Sequence, residues 1–288
     1  MRLGDFYNKA IQFGIERDPR PKKIIKEFED SAILHGSPET KIKSVLVGID
    51  IDVGELLLAD KIRKERGLDL VLAHHPEGRA WARFYEVMKL QADMFARLGV
   101  NKDVARQMVD ARMQEVQRRV MPNNHMRSVD VARLLDVPFM CCHTPADNHV
   151  FRFLQELMAK EHPDKVEDII DVLMEIPEYK LANDENAGPK IIVGSPKRPA
   201  GKIFVEMTGG TEGPREIYDK IYKKGIRTLI CMHLSEDHFK KVKDANLNVV
   251  IAGHISSDTL GLNLLLDRIE SQERLEFIDC SGFRRIRR

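Results

Sequence analysis

Three clusters of histidine and aspartate follow apolar runs in this chain, and such side chains can ligate a divalent metal. The first run, Leu68 to Ala73, leads into His74-His75-Pro76-Glu77-Gly78. The second, Val137 to Cys142, leads into His143-Thr144-Pro145-Ala146-Asp147. The third, Asn248 to Gly253, leads into His254, with Asp258 four residues further on across a strand-to-helix turn. Imidazole and carboxylate together suit zinc, iron or manganese. In open α/β sheets ligands sit beyond the carboxyl ends of strands, so the clusters can converge on one site.

Each cluster also has a reading that needs no metal. Adjacent strand residues face opposite ways, but where the strand ends and Pro76 stiffens the exit, His74 and His75 can face one cleft; a structural role for the pair stands beside that. Thr144, Pro145 and Asp147 fit a helix capping box, which accounts for Asp147 and leaves His143 unexplained. The dipole of a starting helix could place Asp258. His233 and Asp237 repeat the spacing of His254 and Asp258, with His238 next to them, and are an alternative ligand pair. Gly209, Gly210 and Thr211 sit in a glycine-rich turn, Thr208 to Gly213, that either cradles a substrate anion or simply joins strand to helix. It is neither a Walker loop nor a dinucleotide fingerprint.

Elements that would position these clusters follow from periodicity. Ser44–Ile49, a helix over Val53–Arg66 and the strand before His74 make a parallel strand–helix–strand unit. Short helices over 3–16 and 20–34 precede it, split by Asp18-Pro19-Arg20-Pro21. Residues 80–120 read as an inserted helical hairpin, punctuated at Asn101 to Asp103. Its apolar stripe, including Trp81, Phe84, Met88 and Phe95, must bury against the chain's own core or a partner subunit. Helices are expected near 128–135, 148–160 and 165–175, then a polar boundary over 182–189. Strands over 190–194, 202–207, 228–231 and 248–252 alternate with helices over 214–224, 236–245 and 259–271, before a closing strand near 276–279. The class is therefore α/β, with an N-terminal domain over 1–185 and a C-terminal domain over 186–288.

The bulk numbers bound the partners. With 288 residues, 43% hydrophobic and 32% charged, the chain is globular. It carries 46 basic and 45 acidic residues, so no overall field favours nucleic acid or an anionic membrane. The basic end, Phe283 to Arg288, is expected to be a solvated terminus. No apolar run approaches the roughly 20 residues of a membrane span, and Met1 to Asp18 lacks a signal-peptide core. The 4 cysteines form no C-x-x-C pair, which fits reduced thiols and a cytoplasmic location.

In this order the clusters resemble the NIF-three-like family (NGG-one-interacting factor three-like), whose members are often described as GTP cyclohydrolase I type 2 homologues. The matching segments are His74-His75-Pro76, His143-Thr144-Pro145-Ala146-Asp147, and Gly253-His254 with Asp258. The glycine-rich Met207 to Gly213 and Asp50 match further family features. The resemblance implies two similar α/β domains with a site between them, and two divalent metal ions held by His74, His75, Asp147, His254 and Asp258. It also implies a ring-like homo-oligomer, commonly a hexamer. The family places Glu where this chain has Asp258, and Glu77-Gly78-Arg79 departs from its usual apolar follow-on. The expected function is that of a metal-dependent hydrolase of a small molecule, with nucleotides the suggested class and His143, His238 or Glu77 as candidates for proton handling. The alternative is a non-catalytic metal-binding regulatory or assembly protein.

Overall fold

Aliphatic runs form short central strands that helices cover on both faces, as parallel sheets require. The computed structural model describes residues 1–21, 25–271 and 273–288. In the first sheet β2 (Ser44–Gly48), β3 (Leu70–Ala73) and β4 (Phe139–Cys141) are parallel neighbours. β1 (Ala32–His35) adds antiparallel to β4 and β9 (Glu276–Asp279) adds parallel to β2, giving the order β1-β4-β3-β2-β9. Alternate side chains separate the two faces. Val45, Val47, Leu70 and Leu72 pack with α1 (Leu3–Arg17) and α12 (His254–Glu270). Leu46, Val71 and Phe139 pack with α2 (Val53–Arg66) and α6 (Arg127–Leu135).

The second sheet repeats this plan in four strands: β5 (Lys190–Val193), β8 (Asn248–Ile251), β7 (Ile226–Cys231) and β6 (Lys202–Glu206), in that order. Only its edge strand β5 runs antiparallel to its neighbour. Between the sheets α7 (Thr144–Glu161) packs on α12. The architecture is thus α/β with two parallel-rich sheets, as the sequence indicates.

The inserted hairpin is α4 (Lys89–Arg97) and α5 (Lys102–Val120), preceded by α3 (Gly78–Ala82) and a 3-10 turn over Phe84–Met88. Its stripe buries against the chain's own core: Met94, Phe95, Val109 and Met113 share one buried cluster with Phe204, Leu229 and Val249 of the second sheet.

Four local expectations change. In place of a helix over 20–34, residues 25–31 carry no helix and Ala32–His35 is β1, while 22–24 lie outside the described residues. The open edge of β4 offers β1 a ladder, with Ala32 opposite Cys141, and that pairing overrides local spacing. The closing strand, which the sequence assigns to the second domain, pairs with β2 of the first sheet. The expected boundary loop is partly helical, because α9 (Pro177–Asp184) runs into it. The basic terminus is not free: Phe283 is fully buried, and Arg285 pairs with Asp267 and Glu270 while Arg288 pairs with Glu178. Among the described residues no helix is long and apolar enough to cross a membrane.

Candidate metal centre

Strand ends of the first sheet and the start of α12 bring the three clusters together. Beyond β3, His74 donates from Nδ1 to the Cys142 carbonyl at 3.2 Å. Its Nε2 then faces inward, 3.4 Å from Asp147 Oδ1 and 3.4 Å from Asp258 Oδ1. His75 donates from Nδ1 to Asp50 at 2.6 Å and presents Nε2 3.4 Å from Asp258 Oδ2. His143 donates from Nδ1 to the buried Asp30 at 2.8 Å. His254 Nε2 stands 3.5 Å from Asp258 Oδ2. A carboxylate or carbonyl on one ring nitrogen fixes the tautomer that leaves the other nitrogen's lone pair for a cation.

These side chains form three overlapping donor groups, each with its ligand atoms within 4.8 Å of one another: His74, His75 and His143; His75, His254 and Asp258; His74, Asp147 and Asp258. Asp258 joins two of them, since Oδ1 faces His74 and Oδ2 faces His75 and His254. Although a methylene shorter than the family's glutamate, Asp258 reaches all three rings.

Three atoms here are buried without a hydrogen-bond partner: His74 Nε2, Asp147 Oδ1 and Asp258 Oδ2. Leaving such atoms unpaired is costly, so their convergence calls for a group not yet counted. The 3.4–3.5 Å spacings are too long for good hydrogen bonds. Donors about 2.1 Å from a shared tetrahedral ion stand about 3.4 Å apart. The residues fit a divalent cation.

Without a cation, the imidazoles supply the positive charge. Burial opposes charge on His74, but Asp258 and Asp147 outweigh it and push the ring up to about 10. Burial likewise opposes charge on His75, and Asp258 and Asp50 push it up to about 9. Burial would raise Asp258, yet His74 and His75 hold it well below the usual carboxylate range. For His254 burial prevails and its pKa falls.

The capping and helix-start readings do not account for Asp147 and Asp258. The N-cap of α7 is His143, with no side-chain capping bond, and Thr144 spends its hydroxyl on Asp30 at 2.6 Å. Asp147 therefore lies inside the helix rather than capping it. α12 begins at His254, which leaves Asp258 beyond the first turn although 1% exposed. Of the repeated pair, Asp237 points away to Arg215 at 2.9 Å. His233 does reach the centre's edge, its ring 4.8 Å from that of His254.

The other candidates divide. Glu77 lines a cavity of about 450 Å³ over the cluster, along with His75, His143 and His254. Burial, reinforced by Asp52, pushes Glu77 up to about 7. His238 is occupied elsewhere, with Ser235 Oγ 2.7 Å from Nδ1 and the Gly213 carbonyl accepting from Nε2 at 2.9 Å. Gly210 and Thr211 line the same cavity, whereas Gly209 accepts from Gln91 at 2.9 Å through its carbonyl. Gln91 also donates to the Thr211 carbonyl, and Arg112 of α5 donates to that of Glu212. These carbonyls face the hairpin, and α10 (Ile217–Lys223) begins only after three further residues. Two placements had no sequence signal: Asp30 orienting His143, and Glu212 facing His233 across 3.5 Å.

No protein-family model matches the chain, and no curated protein matches it either. Solved structures do. A NIF3 superfamily protein from Sphaerobacter thermophilus superposes with a TM-score of 0.80 at 28% identity, covering 96% of this chain and 97% of that one. HcgD from Methanocaldococcus jannaschii, in reduced form, gives 0.59 at 16% identity, covering 97% of each chain. TTHA1606 from Thermus thermophilus gives 0.51 at 13% identity, again covering 97% of each. The last two show likeness of fold alone.

Proposed function

We propose that this chain, similar over 96% of its length to a NIF3 superfamily protein, is a NIF3-like dinuclear divalent-metal protein that hydrolyses a small molecule. The observation that carries the metal is the meeting of three partnerless buried atoms, on His74, Asp147 and Asp258, contributed from both halves of the chain. The ligand set proposed is His74, His75, Asp147, His254 and Asp258, with His143 adjoining. Two overlapping groups that share Asp258 support a pair of ions, one by His74 and Asp147 and the other by His75 and His254. Bound there, the cations would supply Lewis-acid activation of an electrophilic substrate.

The chain's own residues do the rest. Cys142, Asp50 and Asp30 fix the rings of His74, His75 and His143 through Nδ1. Glu77, poised near neutrality at the cavity wall, can hold or release a proton there. Nucleotides are the substrate class suggested by the family resemblance, and a homo-oligomeric ring is the assembly it suggests.

Metal analysis of untagged protein tests the reading. We expect about two equivalents of zinc, iron or manganese in the wild type, and loss of at least one in Asp258→Asn, which keeps shape but not charge. Metal-free protein after loading with each ion in turn would overturn it. Metal without turnover across a hydrolase substrate panel would keep the centre and remove the hydrolase. Light scattering reports the assembly.

A further inference from the structure

The cavity over the imidazole cluster is asymmetric in a way that selects a ligand. One wall is aromatic: Trp81 stacks on Phe84 with ring centres 5.2 Å apart and planes 28° from parallel. Phe84 in turn meets His143 edge-on at 5.6 Å, which ties this slab to the floor of the site. Another part of the wall is acidic, with Asp50, Asp52 and Glu77. Arg127 is the lone Arg or Lys among the described lining residues, and it lies 3.4 Å from Asp52. At about 450 Å³ the space falls in the range of small-molecule sites, roughly 300–1,000 Å³.

The three carboxylates are not equivalent. Asp50 is bonded to His75. Asp52 caps α2, accepting from Val53 at 2.8 Å. Glu77 occupies the N-cap position of α3 but makes no capping bond; Ser128 hydrogen-bonds to its carboxylate and the nearby Arg127 attracts it, which leaves the remaining lone pairs of the carboxylate to a ligand. The Glu77 backbone is held in place: the Ala80 and Trp81 N–H groups donate to the Glu77 carbonyl at 3.1 and 3.3 Å, and the Gly78 N–H donates to the His125 carbonyl at 2.9 Å. A half-buried carboxylate that Ser128 orients and that keeps free lone pairs, beside a flat aromatic slab, is a receptor for a planar ligand with an N–H-donating edge.

We propose that this cavity takes a flat, uncharged or cationic heteroaromatic ring carrying an amino-substituted N–H edge, stacked on Trp81 with that edge on Glu77, and that it disfavours anionic rings. The inference rests on the metal reading only in treating the imidazole floor as the reacting end. It narrows the substrate class: a phosphate would have to lie toward the cations, away from the carboxylate wall.

Trp81 is the chain's single tryptophan, so intrinsic fluorescence reports this wall alone. The probes are 2-aminobenzimidazole, benzimidazole and benzimidazole-2-carboxylate, titrated into metal-depleted and metal-loaded protein. We expect saturable quenching, with the amino compound binding about tenfold or more tighter than the other two. Glu77→Gln should erase that preference while keeping benzimidazole binding, and circular dichroism checks its fold. Asp52→Asn, outside the proposed contact, should retain the preference. No saturable quenching, equal or tighter binding of the carboxylate to metal-depleted protein, or a preference that survives in Glu77→Gln each overturns the inference. Protein that loads metal but ignores the amino probe sinks this inference and leaves the metal reading; protein that binds the probe but never metal does the reverse.

Discussion

At the scale of single residues, the centre is a cluster of charges whose sum a cation would change. In its metal-free state His74 and His75, at about 10 and about 9, carry protons at neutral pH because buried aspartates surround them. Both values lie above the usual 6.5, so the stabilisation these pairs give the metal-free protein is complete below about 6.5 and is lost as pH rises through 9 to 10. A cation must displace those protons. We expect metal loading at pH 7 to release one to two protons per chain, falling toward none above pH 10, measured by calorimetry in buffers of different ionisation enthalpy. Loading without proton release would show that the imidazoles are not the ligands. The three histidines among the five proposed ligands follow apolar runs in the sequence, whereas Asp147 and Asp258 also read as helix-start carboxylates and joined the set through the family resemblance. Asp30 was not legible there, because a buried carboxylate that orients a ring 113 residues away leaves no local pattern. The capping motif at Thr144 misled for the opposite reason: its local pattern is complete, yet Asp30 claims the hydroxyl.

At the scale of elements, the two carboxylates meet because two helices approach closely. Asp147 lies near the start of α7 and Asp258 near the start of α12, and these helices pack on each other. Gly261 allows the approach, since a Cβ there would stand 2.5 Å from the Ala146 carbonyl oxygen. Gly261→Ala should therefore force the helices apart at the level of the centre. We expect a loss of about 1–3 kcal/mol in denaturant unfolding, together with weaker metal binding. Gly54→Ala in α2, where a Cβ meets nothing within 4 Å, is the matched control and should cost neither. A normal metal affinity in Gly261→Ala would mean that helix spacing does not set the site. The alternation of strands and helices was readable from periodicity, and so was the hairpin. Strand β1 was not, because four residues at a sheet edge take their conformation from the partner strand rather than from themselves.

At the scale of the whole molecule, the chain closes on itself, which composition cannot show. After α12 it returns to the first sheet as β9, and its last residues clamp the helix that carries His254 and Asp258. Arg285 bonds to Asp267 and Glu270 on that helix and to Asn263. Arg288 reaches Glu178, which is 3% exposed and also accepts from Asn263 at 2.9 Å. The tail looked like a free basic segment because its carboxylate partners lie 15 to 110 residues away. Removing Arg284 to Arg288 would leave Glu178 and Asp267 without their guanidinium partners; breaking a fully buried pair costs about 3–5 kcal/mol, and the part exposure of Arg288 and Asp267 brings the expected loss below that. Thermal unfolding should shift down accordingly, while metal content at low temperature stays near that of the full chain, since no proposed ligand is lost. Saturating metal should recover part of the shift, because a cation held by both halves stabilises only the folded chain. If the truncated protein unfolds like the full one, the clamp contributes nothing and these arginines are free for a partner after all.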